Sequence, residues 1–405
     1  MKILFLSSLC SEKKYERIFQ KRTAPMLDTN QKFLLSIVSG LRAIKNVEVT
    51  CISSIPVSHR CYPDRVLHEE LETADGVSYQ YCGGLNYPVL RNLTVEWNTK
   101  RAVKKFVRGN TREQIVVICD ILKTESAATV NWLNKQGIPT FAIVTDIPSI
   151  AESMTGSKGI KNYLLKKYGE RANYLMRQFQ AFILLSERMN EFCNPDLIKP
   201  YMIMECIVNP RIFDGIEAKR ISDRPVVLYA GKYYKECGVV NLARAAKYLQ
   251  DDCNIVLYGG HGDCMDELET EAKATNNLFI NGIVPLQDIL AIEKGASILV
   301  NPRPDTEEFT KYSFPSKTAE YMLAGVPTIM YELAALPNEY KDKLYFFHSQ
   351  DSKEMADEIK NILKNPCEAE KKAREAQQFI AEKKNNIHQA QKIVEFVEKV
   401  AKINE

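Results

Sequence analysis

Short, uninterrupted apolar runs recur along this chain, separated by stretches in which apolar residues return at helical spacing. The first series is Lys2–Ser8, Val47–Ser53, Gln114–Cys119, Thr140–Thr145, Phe182–Leu185 and Tyr201–Met204. A second series begins at Val226–Gly231 and continues through Asn254–Gly259, Leu278–Asn281, Ala296–Val300 and Val326–Met330. Runs that are apolar at successive positions predict strands covered on both faces, hence parallel sheets flanked by helices. Helices are predicted over Asn30–Leu41, around Ser126–Lys135, over Gly238–Gln250 and from Ser352 onward, with a last one at Phe379–Lys402. A basic loop carrying Lys13, Lys14, Arg17, Lys21 and Arg22 is expected after the first strand. Asn209–Arg224 lacks periodicity and contains Pro210 and Gly215, which marks a linker. The expected fold class is therefore α/β. Residues 1–208 and 209–385 form two halves with a ligand cleft between them, and a helix at 386–405 returns to the first half.

One segment carries more chemistry than the rest: Tyr312-Ser-Phe-Pro-Ser-Lys-Thr-Ala-Glu320-Tyr-Met-Leu-Ala-Gly-Val-Pro327. Pro315 is suited to opening a helix, Gly325 to closing it in left-handed geometry, and Pro327 to blocking its continuation. Phe314, Thr318, Tyr321 and Met322 form the predicted buried stripe. Lys317 and Glu320 share a face, and the amides near Ser316 and Lys317 lie at the positive end of the helix, a ready anion site. The helix offers amides and an ammonium to a phosphate and, one turn on, a carboxylate to a sugar diol. The plain alternative is a surface ion pair of little worth. The apolar runs on both sides favour the first reading, because the helix then begins where a parallel strand ends.

Bulk properties narrow the class. A chain of 405 residues exceeds one ordinary core. Hydrophobic content of 45% and charged content of 26% describe a soluble globular protein, and a net charge of +3 argues against a dedicated nucleic-acid binder. The 11 cysteines are scattered and never spaced Cys-x-x-Cys, which fits reduced thiols in a cytosol. No apolar run reaches membrane-spanning length.

With these residues in view, the second half resembles the donor domain of glycosyltransferase family 4, which has the GT-B fold of two Rossmann-like domains facing across a cleft. The resemblance rests on Tyr229-Ala-Gly231, Val256-Leu-Tyr-Gly-Gly-His-Gly262, Phe279-Ile-Asn-Gly282, Asn301-Pro-Arg303 and the 314–327 segment. It is specific over about 225–335 and weaker in the first half, where Val144–Pro148, Leu184–Met189 and Met204–Val208 carry it. The combination is most similar to bacterial enzymes of capsule, exopolysaccharide or O-antigen assembly.

The resemblance implies a retaining, metal-independent transferase that needs no cofactor beyond its nucleotide-diphosphate-sugar donor. It implies Glu320 on the ribose hydroxyls and Lys232 on the pyrophosphate. Gly231, Lys235, Gly259, Gly260, Arg303, Phe314, Pro315 and Ser316 would line the donor site, with Lys317 beside Lys232 on the leaving group. Asp146 stands where the family has a histidine and would orient or deprotonate the acceptor hydroxyl, or else cap the next segment. The chain departs from the family at Tyr312, in place of the first signature glutamate, where Glu307 and Glu308 are nearby substitutes. It departs again at Cys237, in place of a lysine. These departures leave open a catalytically inactive nucleotide-sugar-binding subunit and, on the same fold, a nucleotide-sugar epimerase. The basic, amphipathic stretch 158–177 is either solvated or a contact with anionic lipid. The expected location is cytoplasmic, with peripheral contact at the inner face of the plasma membrane, and the expected acceptor is a glycan or a lipid-linked sugar.

Overall fold

The computed structural model describes residues 1–24, 30–88, 90–147, 160–260, 262–306, 308–312 and 314–403. Pro148, Lys158, His261 and Glu307 fall outside them, as do the side chains of Ile160, Lys161 and Leu164. The described residues divide into two compact units, Met1–Ile207 with Asn386–Glu405, and Val208–Asn385.

The first unit is built on β1 (Lys2–Ser7), β2 (Glu48–Ser54), β3 (Val66–Leu67), β4 (Glu70–Ala74), β5 (Val77–Cys82), β6 (Gly84–Leu85), β7 (Ile115–Asp120), β8 (Thr140–Val144), β9 (Ala181–Leu184) and β10 (Tyr201–Ile203). Eight of these form one sheet in the order β10-β9-β8-β7-β1-β2-β5-β4, while β3 and β6 make a small antiparallel pair. Only β4 runs antiparallel within the large sheet. Strands β1, β7, β8 and β9 are buried almost throughout, as their unbroken apolar runs require. The connecting helices are α1 (Glu12–Lys21), α2 (Gln31–Ala43), α3 (Leu90–Arg108), α4 (Thr124–Ala127), α5 (Val130–Lys135), α6 (Ile160–Met176) and α7 (Glu187–Cys193).

Local expectations are corrected at three places here and at a fourth in the second unit. The basic stretch after β1 is a helix, α1, because Ser11 caps it by accepting from the Lys14 amide and Glu12 occupies its first turn. Two of its lysines and its arginine face carboxylates: Lys14 and Arg17 meet Glu70, Arg17 also meets Glu72, and Lys21 meets Asp64 at 2.6 Å. The helix expected around Ser126–Lys135 is two short ones, α4 and α5, broken at Ala128–Thr129. The last helix is also interrupted, at Lys384–Asn385, where the chain leaves the second unit.

The second unit contains β11 (Val226–Ala230), β12 (Asn254–Tyr258), β13 (Leu278–Asn281), β14 (Ile298–Asn301), β15 (Thr328–Tyr331) and β16 (Tyr345–Phe347). They form an all-parallel sheet in the order β13-β12-β11-β14-β15-β16. This order reverses direction between β11 and β14, and a ligand crevice opens outside the strand ends at such a reversal. Helices α8 (Val239–Ala245), α9 (Met265–Ala274), α10 (Leu286–Gly295), α11 (Ser316–Leu323), α12 (Ser352–Lys364) and α13 (Pro366–Lys383) belong to this unit. The expected helix over Gly238–Gln250 is shorter, α8 followed by a 3-10 turn at Ala246–Tyr248.

The final helix, α14 (Asn386–Ile403), lies in the first unit and packs along α2. Leu34, Ile37 and Leu41 of α2 share a buried cluster with Ala390, Ile393, Val394 and Val397 of α14. The two backbones approach so closely that a Cβ on Gly40 would stand 2.1 Å from the Asn386 carbonyl oxygen.

Candidate active site

In the second unit the segments leaving β11, β12 and β14 are fitted backbone to backbone. Gly231 donates its amide to the Tyr258 carbonyl at 2.9 Å. A Cβ on Gly259 would lie 1.7 Å from the Gly231 carbonyl oxygen, so the position admits only glycine. Tyr229 turns its hydroxyl onto the Lys232 carbonyl at 2.7 Å and holds the turn after β11. The Lys232 side chain itself is exposed, without a carboxylate partner among the described residues. Gly260 is half-buried, beside Ile283.

Helix α11 is fixed to these strand ends by polar contacts. The Tyr321 hydroxyl, fully buried, accepts from the Ala230 amide at 2.9 Å. Asn301 at the end of β14 donates to the Thr318 hydroxyl at 3.0 Å. Phe314 is buried against Tyr340, ring centres 4.9 Å apart, and Pro315 is buried beside it. Phe314, Thr318, Tyr321 and Met322 are all buried, and Gly325 has a φ of +74°. No side chain caps the N-terminus at Pro315, and Ser316 there is exposed. The first amides of α11 therefore remain for an anion or for water.

Lys317 sits between two carboxylates, with Nζ 2.6 Å from Glu320 Oε1 and 2.8 Å from Glu293 Oε1. This is no surface pair: the Glu293 side chain is 0% exposed, Glu320 13% and Lys317 31%. Burial pulls the lysine pKa down, but Glu320 and Glu293 together overcome that and raise it, so the ammonium stays charged. Glu293 was not among the residues singled out from the sequence. It ends an ordinary amphipathic run on α10, and only the position of α11 makes it a partner.

Arg303, just beyond β14, turns a guanidinium nitrogen toward Cys237 Sγ at 3.9 Å. A cation thus stands beside the position where the resemblance calls for a lysine. Lys235 is engaged elsewhere, by Glu267 of α9, and that hydrogen bond raises its pKa. Glu308 is exposed, at the start of a 3-10 turn. Gly231, Lys232, Arg303, Lys317 and Glu320 accordingly surround the ends of β11 and β14, whereas Lys235 points its charge at α9.

Asp146 belongs to the first unit, two residues beyond the end of β8. Its side chain reaches solvent but is crowded by protein atoms. That desolvation, followed by the charge of Asp120, pushes its pKa up to about 6. Asp120 also went unnoticed in the sequence. It ends β7, next to β1, where the order of the first sheet reverses. Asp120 is 0% exposed, and its Oδ1 accepts from the Leu122 amide at 3.1 Å. Its Oδ2 has no hydrogen-bond partner among the described residues. Burial raises its pKa to about 6.

Known proteins bear on this geometry in two ways. Residues 224–365 match the family model described as Glycosyl transferases group 1. Among solved structures, the chain is similar over 99% of both chains to sucrose-phosphate synthase from Thermosynechococcus elongatus, at 14% identity and a TM-score of 0.66. It is similar to the trehalose-6-phosphate synthase OtsA over 98% of this chain and 99% of that one, at 9% identity and TM-score 0.67. It is also similar to α,α-trehalose-6-phosphate synthase from Burkholderia multivorans, at 11% identity, TM-score 0.65, and 99% and 97% coverage. Among curated proteins no sequence matches.

The fold is GT-B, and with the match over 224–365 it defines an enzyme of glycosyltransferase type. The matched segment contains the strand ends and helix α11 that carry the site.

Proposed function

We propose that this enzyme moves a sugar, with retention at the anomeric carbon, from a nucleotide-diphosphate sugar to a glycan or lipid-linked acceptor in surface-polysaccharide synthesis. The observation that carries the donor assignment is the grouping around the ends of β11 and β14. Lys232 and Arg303 flank the sheet's reversal point, and α11 presents uncapped amides with the Lys317–Glu320 pair. Arg303, beside Cys237, supplies the second cation where the resemblance would place a lysine. Lys232, Arg303 and Lys317 stabilise the diphosphate as it departs, and Glu320 holds the ribose diol. Asp146 orients the acceptor hydroxyl. Thermal-shift measurements across nucleotides and nucleotide-sugars test this reading, because a ligand of the folded state raises stability by mass action. No shift with any nucleotide would remove the donor assignment. Turnover that added acceptor does not accelerate would favour an epimerase, and binding without turnover would favour an inactive subunit.

A second reading, a sugar-phosphate acceptor, is favoured by the names of the structural neighbours, one of them a trehalose-phosphate synthase in complex with glucose-6-phosphate. An acceptor screen containing sugar phosphates and lipid-linked sugars separates the two.

Glu320→Ala is expected to weaken donor binding about tenfold or more, since a hydrogen bond to a charged carboxylate is worth roughly 1.5–3 kcal/mol. Titration calorimetry with the preferred nucleotide checks it, and unchanged affinity in a folded variant would take Glu320 out of the site. Transfer is also expected to survive EDTA, because three side-chain cations and the helix amides carry the leaving-group charge. Abolition by EDTA with rescue by magnesium or manganese would contradict that.

A further inference from the structure

Helix α3 carries an exposed face that neither the fold nor the donor chemistry uses. Leu90, Leu93, Trp97, Lys100, Arg101, Lys104 and Arg108 each lie three or four residues from another of the set and so share one side. The opposite side, Val95, Thr99, Ala102 and Val103, is buried against the unit. On the outer face the apolar residues stay in water: Leu90 is 47% exposed, Leu93 59% and Trp97 62%. Val66, Leu85 and Tyr87, just before α3 or paired with that segment, are exposed as well. Singly exposed apolar residues need no explanation, but a run of them on one surface does.

The face is sorted along its length. Its N-terminal half is apolar and aromatic, and its C-terminal half is basic. The helix holds six cations and one carboxylate, and that carboxylate, Glu96, is taken up by Lys100 at 2.7 Å and by Arg171 of α6 at 2.6 Å. Arg101 is paired with Glu69 at 3.0 Å. Lys104, Lys105 and Arg108 have no carboxylate partner among the described residues. Beside the basic half, between α3 and the α4–α5 pair, lies a pocket of about 340 Å³ lined by Lys100, Lys104, Lys135, Thr129, Asn131 and Trp132. Lys104 Nζ lies 5.6 Å from the Trp132 ring centre. Helix α6, bound to α3 through the Arg171–Glu96 pair, adds Tyr163 and Tyr174, 61% and 58% exposed.

We infer that the outer face of α3 docks on an anionic lipid leaflet, Leu90, Leu93 and Trp97 entering the headgroup region while the pocket lysines hold a lipid phosphate. Charge complementarity selects this occupant: an apolar row beside unpaired cations and a pocket lined by three lysines fits a leaflet carrying negative headgroups. In the 158–177 stretch Lys167 is bound to Glu170 at 2.7 Å and Arg171 to Glu96, while Lys166 and Arg177 are exposed, so α6 keeps charge of its own beside its tyrosines. Among the described residues no helix is long and apolar enough to cross a membrane, so the contact is a surface one.

The test uses the full chain and the fact that it has two tryptophans. Trp132→Phe leaves Trp97 as sole reporter. Its emission is expected to shift to the blue, with cosedimentation, on adding vesicles of phosphatidylglycerol and phosphatidylcholine, and not with phosphatidylcholine alone. Each lysine at the leaflet is worth about fivefold, from about 1 kcal/mol apiece. Lys104→Glu/Lys135→Glu should therefore cut binding at least about 25-fold and flatten its salt dependence. Leu93→Ser/Trp97→Ser should cut binding about tenfold even at low salt. Nucleotide binding by the same variants should be unchanged, which shows that they are folded and separates this inference from the donor assignment. Weak, equal sedimentation with both vesicle types would overturn it. So would binding without a Trp97 shift, or displacement from vesicles by millimolar glycerol phosphate, which would make the pocket a site for a soluble anion.

Discussion

Replacing Lys317 by alanine is expected to destabilise the second unit by about 3 kcal/mol and to abolish transfer. Glu293 is fully buried, and Lys317 is a cation 2.8 Å from it. Removing one partner of a buried ion pair leaves the other charge desolvated, which costs about 3–5 kcal/mol. The lower end applies because Lys317 is itself one-third accessible and solvent relieves part of the penalty. A second variant separates stability from chemistry. Lys317→Met/Glu293→Gln removes the ammonium and the fully buried carboxylate and leaves Glu320, which reaches solvent, so much of the stability should return while transfer stays lost. The urea midpoint and the rate with a saturating donor are the two readouts. Recovery of both in the double variant would show that Lys317 serves only the fold.

The second large effect is in the opposite direction. Asp120→Asn should stabilise the protein at neutral pH by up to about 3 kcal/mol. The carboxyl titrates near 6 in the folded state against 3.8 when unperturbed, because burial disfavours its charge. Between these values the folded state holds the proton that the unfolded state has lost, so stability falls as pH rises from about 4 to about 6 and stays low above that. At about 1.4 kcal/mol per unit, a two-unit shift gives the stated size. Asparagine keeps the oxygen that accepts from Leu122 and removes the charge. The gain should vanish below pH 4, where both side chains are neutral, and urea melts at pH 3.8 and 7.5 check this. The variant should also let Asp146 ionise at lower pH, because the charge of Asp120 helps to raise it. If Asp146 orients the acceptor hydroxyl, the acid limb of the pH–rate profile moves down with it. A stable side chain was available at position 120, and a destabilising one at a sheet's reversal point is the pattern expected where function sets the choice.

The parallel strands of the two sheets were legible because strands buried on both faces have unbroken apolar runs, as in Lys2–Ser7 and Val226–Ala230. Helix α11 was legible because Pro315 and Gly325 punctuate it. Residues 55–113 carry no comparable signal. Strand β4 is half exposed, with acids at Glu70 and Glu72, and α3 buries small or β-branched residues that make a faint stripe. For α1 the signal was present in Ser11-Glu12 but was masked by the dense charge of Lys13, Lys14, Glu16 and Arg17. Glu293 and Asp120 could not be found in the same way. A carboxylate at the end of a helix or strand looks solvated until the packing of another segment removes its water. Arg303 was a candidate from sequence, but its place beside Cys237 depends on the pairing of β11 with β14.

The discontinuity of the first unit sets an order of synthesis. Its sheet and α2 leave the ribosome early, yet the groove over Leu34, Ile37 and Leu41 stays uncovered until α14 is made, with the entire second unit intervening. The second unit, Val208–Asn385, can therefore complete its core first, while the first waits with an apolar surface open. Its strands close against α14 only after translation has passed Asn386. During that interval the amino-terminal half depends on chaperones or on speed to avoid misassembly. A nascent chain that stalls before α14 would be a client for degradation, however intact its donor-side half.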